Sequence, residues 1–75
     1  MEIRIGIVNA PREVVVDMDD DTSADDIKAA VEAGVAASSL VWLTDRKGRQ
    51  TGFPGDRVAY VEIGVGGEDQ RIGFS

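Results

Sequence analysis

The chain has 75 residues with neither cysteine nor histidine, and its formal net charge is −6 at pH 7. This length allows one small hydrophobic core, so we treat residues 1–75 as a single domain. The missing residue types exclude disulfides, thiolate-held metals and nucleophile–base pairs that use a thiol or an imidazole. The negative charge disfavours long-range attraction to nucleic acid or to an anionic membrane.

The charged residues are unevenly distributed along the chain. Residues 13–32 hold eight acidic side chains and one basic side chain, Lys28, whereas residues 45–57 hold four basic side chains and two acidic ones. A basic segment of this kind can face a partner although the net charge is negative. The first residues lack a signal-peptide pattern and no apolar run approaches about 20 residues, so we expect a soluble, cytoplasmic protein.

Two short strands are predicted at the start of the chain. In "EIRIGIV" the apolar residues alternate with polar ones, which is typical of a strand with one buried face. The residues "NAPR" supply a turn, and "EVVVDM" repeats the alternation, so the two segments predict an antiparallel hairpin. The residues expected on the buried faces are Ile3, Ile5 and Ile7 in the first strand and Val14, Val16 and Met18 in the second.

A helix is predicted in "ADDIKAAVEAG". Ile27, Ala30, Val31 and Gly34 follow the spacing of three and four residues that marks the buried stripe of a helix. Gly34 is a candidate for its end, although the helix could continue to residue 37.

The acidic run before this helix has two interpretations, a calcium loop or a helix start. Six aspartates fall within residues 17–26. A calcium loop starting at Asp17 would place Thr22 where glycine is needed and Lys28 where a bidentate glutamate is needed. Ser23 or Thr22 can instead cap the helix, with aspartates in the first turn opposing the positive end of the helix dipole. We therefore predict a helix start and no metal site.

The second half of the chain reads as further strands. "LVWLT" has strong β propensity, and its alternation puts Leu40 and Trp42 on one face and Val41 and Leu43 on the other, so one of these faces must be less buried. "DRKG" is a hairpin turn with Gly48 available for positive φ, and "RQTGF" is the return strand. After the turn "PGD", "RVAYVEI" predicts a long strand. "GVGGEDQ" reads as a turn before a short final strand, "RIGF".

The predicted order is strand–strand–helix–strand–strand–strand–strand, which defines an α+β class: a β-grasp-like mixed sheet packed on one helix. The spacing of the first strand, the helix at "DTSADDIKAAV" and the following strand resembles that of ubiquitin-like domains. This resemblance implies that "RVAYVEI" lies at the sheet's centre and parallel to the first strand. A small Sm-like β-barrel is the alternative topology.

Several segments resemble a short actinobacterial family of uncharacterised function: "MEIRIGI", "PRE", "LTDRKGR", "DRVAYVEIG" and "RIGF". The resemblance covers nearly the whole chain. It implies a cytoplasmic bacterial protein and supplies no mechanism. Members are often labelled ATP-binding proteins, but "GVGG" is followed by two acids and no helix-forming segment, so it lacks the context of a phosphate loop. We therefore expect neither ATP nor another cofactor.

Two further hypotheses concern chemistry. A ubiquitin-like carrier ends in Gly-Gly, whereas this chain ends in "RIGFS", so conjugation is not expected. Fourteen acids offer many carboxylate pairs, and nothing marks one as catalytic. Glu62 stands in an otherwise apolar strand and is expected to pair with Arg4 on the neighbouring strand.

From these observations we predict a noncatalytic protein-interaction or adaptor module without catalytic residues. Its expected contact residues lie on the exposed side of the sheet and at the basic hairpin tip: Trp42, Arg46, Lys47, Arg49, Phe53 and Tyr60. Sheet edges also allow strand addition or a homodimer. A small regulatory nucleic-acid-binding protein, with aromatic rings stacking on bases, and an accessory subunit of an enzyme are the alternatives.

Overall fold

The computed structural model describes residues 1–65 and 68–73. The elements follow the predicted order ββαββββ. They are β1 (Glu2–Ile7), β2 (Val14–Asp17), α1 (Ala24–Ala37), β3 (Leu40–Thr44), β4 (Gln50–Pro54), a 3₁₀ turn (Gly55–Arg57), β5 (Val58–Val65) and β6 (Glu68–Gly73). The α+β class and the β-grasp-like order are confirmed. The last strand begins three residues earlier than predicted, and Gly66, Gly67 and Phe74 lie outside the described residues.

The described strands form two sheets and no closed barrel. One sheet has four strands in the order β2–β1–β5–β6, and the other is the β3–β4 hairpin. The long strand β5 lies beside β1 at the centre, as expected, but it runs antiparallel to β1 and not parallel. The orientation follows from where β5 starts. The Val8 N–H donates to the Arg57 carbonyl at 2.8 Å, so β5 enters beside the carboxyl end of β1.

The core lies between the inner faces of both sheets and one side of the helix. Ile3 and Ile5 are fully buried, as the alternation in β1 predicts, and Ile63 of β5 is fully buried beside them. Ile7 and Val14 are partly buried against this core. The remaining core residues are Val16, Met18, Ile27, Val31, Val41, Leu43, Phe53, Val58 and Val61.

Ser23 begins the helix as predicted. Its backbone is extended, and its hydroxyl oxygen accepts a hydrogen bond from the Asp26 N–H at 3.4 Å. Asp25 and Asp26 occupy the first turn, where carboxylates oppose the helix dipole. The acidic run therefore includes a helix start. Ala30, expected in the buried stripe, is exposed, because the stripe follows the narrower set Ile27, Val31 and Gly34.

The helix continues past Gly34 to Ala37 and ends at Ser38, which takes a left-handed conformation with φ of 53°. Gly34 is a packing position and not a helix end. A Cβ built there would lie 2.2 Å from a methyl carbon of Val41, and one built on Gly55 would lie 2.3 Å from the Gly34 carbonyl oxygen. The two glycines therefore let the helix and the 3₁₀ turn approach backbone to backbone.

Candidate functional site

The β3–β4 hairpin has one buried face and one open face. Val41, Leu43 and Phe53 point into the core. On the opposite face Leu40 is 57% exposed and Trp42 is 60% exposed. The strand register places Leu40 beside Pro54 and Trp42 beside Gly52. We call the set Leu40, Trp42, Gly52 and Pro54 the hairpin face.

Trp42 lies across the backbone of the neighbouring strand. A Cβ built on Gly52 would lie 2.8 Å from the six-membered ring of Trp42. A larger residue at this position would push the indole away, so Gly52 determines how closely the ring lies against β4. Alternation in "LVWLT" pointed to Leu40 and Trp42 sharing one face; only the fold shows that this face is outward.

The hairpin tip is a fixed turn. The Asp45 carboxylate accepts hydrogen bonds from the backbone N–H groups of Lys47 at 2.9 Å and Arg49 at 2.8 Å. Gly48 takes the positive φ of 86° that the turn requires, as predicted. Lys47 and Arg49 are both exposed. Neither forms an ion pair within the part of the chain that the structure describes.

Arg46 differs from its two basic neighbours, because its side chain binds the other end of the molecule. Its Nε lies 3.2 Å from a carboxylate oxygen of Asp17, and a second nitrogen lies 3.3 Å from Asp20. The Met1 ammonium joins the same cluster through Asp20 at 2.8 Å and Asp17 at 3.7 Å. These four groups, which we call the charge cluster, contain two cations and two anions.

Asp20 interacts electrostatically with both cations of the charge cluster. The hydrogen bond from the Met1 ammonium, then the charge of that ammonium and of Arg46, lower the pKa of the Asp20 carboxyl below its ordinary value. The acidic run is thus partly used for internal ion pairs. Among the described residues, no three acidic side chains are grouped so that they could hold a metal ion.

Two of the predicted contact residues, Phe53 and Tyr60, lie neither on the hairpin face nor at the hairpin tip. Phe53 is 2% exposed and belongs to the core, so its expected place on the contact surface is wrong. The reason is its register: Phe53 pairs with Val41, which points inward. Tyr60 is partly exposed but belongs to β5 on the four-stranded sheet. Its ring covers Gly6 and its hydroxyl donates to the Glu13 carboxylate.

On the outer side of the four-stranded sheet, Arg4 and Glu62 lie on neighbouring strands, as expected from sequence. Arg4 lies directly across from Glu62 in the register of β1 and β5. The guanidinium forms its ion pair with Glu2 at 3.0 Å, and this hydrogen bond and charge raise the pKa of Arg4, with smaller contributions from Glu13 and Glu62. Glu2, Arg4, Glu62 and Gly64 line a depression of about 20 Å³, room for roughly one water molecule.

Comparison with known proteins assigns the chain to a family. It belongs to the family described as "Protein of unknown function (DUF3107)", whose model matches residues 1–75. No curated protein matches the chain. Within the described residues, no helix is both long and apolar enough to span a membrane. The description of this family names no activity.

Proposed function

We propose that the protein is a cytoplasmic protein-interaction module without catalytic activity, and that the hairpin face is its contact surface. The observation that supports this is the exposure of Leu40 and Trp42 side by side on a sheet whose other face is core. Aromatic residues are enriched at the centres of protein interfaces, and tryptophan is among the commonest anchors there. Pro54 and Gly52 extend the apolar surface without adding charge.

The tip determines which partner suits this surface. Lys47 and Arg49 lie exposed at the tip of the same hairpin, and neither is neutralised by an ion pair among the described residues. The partner that fits is a folded protein or peptide with an apolar pocket for Trp42 and carboxylates beside that pocket. Arg46 contributes to the rim only indirectly, because the charge cluster holds its side chain.

The test is affinity capture from the source cell with purified variants. Wild-type protein is compared with Trp42→Ala and with Val15→Ala, a matched control because Val15 is also half-exposed, at 54%, but lies on the other sheet. We expect wild type and Val15→Ala to retain the same protein and Trp42→Ala to lose it. Truncating a central anchor costs about 2 kcal/mol or more, roughly a thirtyfold loss of affinity.

The charge variant Lys47→Glu/Arg49→Glu separates the alternatives. A partner with acidic residues beside its pocket is weakened by the charge reversal, and the complex resists nuclease. Recovery that nuclease abolishes and that falls steeply with salt would instead identify a nucleic-acid-binding protein. A single stoichiometric enzyme would identify an accessory subunit. Undiminished capture by Trp42→Ala would overturn the proposed contact surface.

A further inference from the structure

The strand β3 has a free backbone edge. The Asp45 N–H donates to the Arg49 carbonyl and the Gly55 N–H donates to the Ser39 carbonyl, both at 2.8 Å. Because hydrogen-bonded pairs alternate in an antiparallel hairpin, the bonded pairs between them are at Val41 and Leu43. The N–H and C=O groups of Leu40, Trp42 and Thr44 therefore point away from β4. Within residues 1–65 and 68–73 no other strand pairs with this edge.

The edges of β4 and β2 carry features that disfavour pairing, and β3 does not. On β4, Pro54 faces outward and has no N–H to donate. At the edge strand β2, Glu13 and Asp17 flank Val15 two residues to either side. A second copy paired around Val15 would set Glu13 against the partner's Asp17, and like charges directly opposite are unfavourable. Residues 38–44 contain no charge and no proline. An uncharged, apolar edge of this kind is a template for another strand.

We propose that a second copy of this chain pairs with β3, antiparallel and with a two-fold axis at Trp42. Trp42 then faces the partner's Trp42, and Leu40 faces the partner's Thr44. All three pairs are of the hydrogen-bonded type, so each exchanges both of its backbone bonds. The result is one sheet in the order β4–β3–β3–β4. The pairing uses the edge of the strand and not its outer face, so it does not depend on the function proposed above.

The register follows from which backbone groups are free. After Thr44, the next backbone N–H that points away from β4 is that of Arg46. It already donates to the Asp17 carbonyl at 2.9 Å, so it cannot join the ladder. At the other end Ser38 leaves the strand in a left-handed conformation. With the two-fold axis at Leu40 or at Thr44, the ladder would run into one of these ends and fewer residue pairs would form. The axis at Trp42 uses every free residue, and it places no like charges opposite each other.

Pairing through this edge would double the hairpin face. The side chains of Leu40 and Trp42 stay on the outer side of the joined sheet, beside the same residues of the partner. A two-fold interface of this type is closed, because the same edge is used on both copies, so it ends at a dimer and does not extend into a fibre.

The experiment is sedimentation equilibrium over a range of protein concentrations with two proline variants. Thr44→Pro removes an outward N–H from the β3 edge while leaving Leu40 and Trp42 in place. Gln50→Pro is the matched control, because Gln50 is the cross-strand neighbour of Thr44 and its N–H points out from β4. We expect a wild-type monomer–dimer equilibrium, unchanged in Gln50→Pro. Two lost hydrogen bonds and a steric clash predict at least a tenfold weaker dimer for Thr44→Pro.

A charge pair tests the register even if a proline variant does not fold. In Leu40→Lys/Thr44→Lys the introduced ammonium groups of the two copies face each other, so the dimer should dissociate. In Leu40→Lys/Thr44→Glu opposite charges face each other, so the dimer should return. A wild type that stays monomeric at every concentration overturns the proposal. So does equal dimerisation of the two charge variants. If monomeric Thr44→Pro still captures a protein partner, the proposed function holds and does not require the dimer.

Discussion

Arg46 and Asp17 are joined twice, once through the backbone and once through their side chains. The Arg46 N–H donates to the Asp17 carbonyl at 2.9 Å, and the guanidinium Nε lies 3.2 Å from the Asp17 carboxylate. The Arg46 guanidinium also donates to the Met18 carbonyl at 3.3 Å. This double link ties the tip of the β3–β4 hairpin to the end of β2, so a residue at a surface turn contributes to tertiary structure.

Replacing Arg46 by alanine should therefore destabilise the fold, whereas Arg49→Ala should not. Both partners of the ion pair are partly exposed, with Arg46 at 41%, so the expected loss is at most about 1 kcal/mol. Arg49→Ala should stay within about 0.5 kcal/mol of wild type. Urea denaturation at low and high salt measures both free energies of unfolding. Equal values for the two variants would contradict the role given to Arg46.

The Asp20 carboxyl should titrate below its ordinary value. The ammonium of Met1 and the charge of Arg46 stabilise the carboxylate, so the folded protein has a lower Asp20 pKa than the unfolded chain. The resulting stabilisation is complete above the unfolded pKa of 3.8 and is lost as the pH falls through the folded pKa. Carboxyl NMR titration measures this value directly. In Arg46→Ala the pKa should rise only part of the way, because the ammonium remains.

The Tyr60 ring occupies the space that a side chain at position 6 would need, so it packs directly over Gly6. A Cβ on Gly6 would lie 2.1 Å from the ring, so Gly6→Ala should displace the partly exposed Tyr60 side chain, break its bond to Glu13 and cost about 1 kcal/mol. Gly73→Ala is the control, because Gly73 faces Tyr60 from the other neighbouring strand and a Cβ there meets nothing within 4 Å. Adding Tyr60→Ala to Gly6→Ala should remove most of the clash. A Gly6→Ala variant as stable as Gly73→Ala would refute the packing described.

The two aromatic residues of the β3–β4 hairpin should behave in opposite ways. Phe53→Ala empties a buried position and should cost about 3–5 kcal/mol. Trp42→Ala should cost much less, because its side chain is 60% exposed. Trp42 is the only tryptophan, so fluorescence reports on it alone. We expect ready quenching by iodide under dilute, monomeric conditions. A protected indole there would mean that the hairpin face is covered.

Sequence patterns predicted the elements and much of the core, because burial on one face imposes a period that local residues reveal. Ile3, Ile5 and Val16 follow such a period. The orientation of β5 was not predictable in this way. It depends on which end of β1 the chain reaches after the hairpin, and no local pattern encodes that position.

The candidate site, like the fold, was only partly predictable from local sequence patterns. Alternation placed Leu40 and Trp42 on one face, but whether that face is outward depends on which side the core occupies. Phe53 looked equally available as a contact residue until its register with Val41 placed it inside. In the sequence, nothing separates Arg46 from Lys47 and Arg49, because all three are basic residues of the same turn. Only the approach of Asp17 and Asp20, far away in sequence, separates it from them.

The meeting of Gly34 and Gly55 sets the distance between the helix axis and the hairpin. Main-chain atoms make this contact, with a Cβ on Gly55 placed 2.3 Å from the Gly34 carbonyl oxygen, so no side chain can rotate to relieve crowding. A methyl group added at either glycine should push the helix and the 3₁₀ turn apart. Because this turn directly follows β4, we expect the position of the hairpin, and with it the direction in which Trp42 faces, to depend on these two glycines.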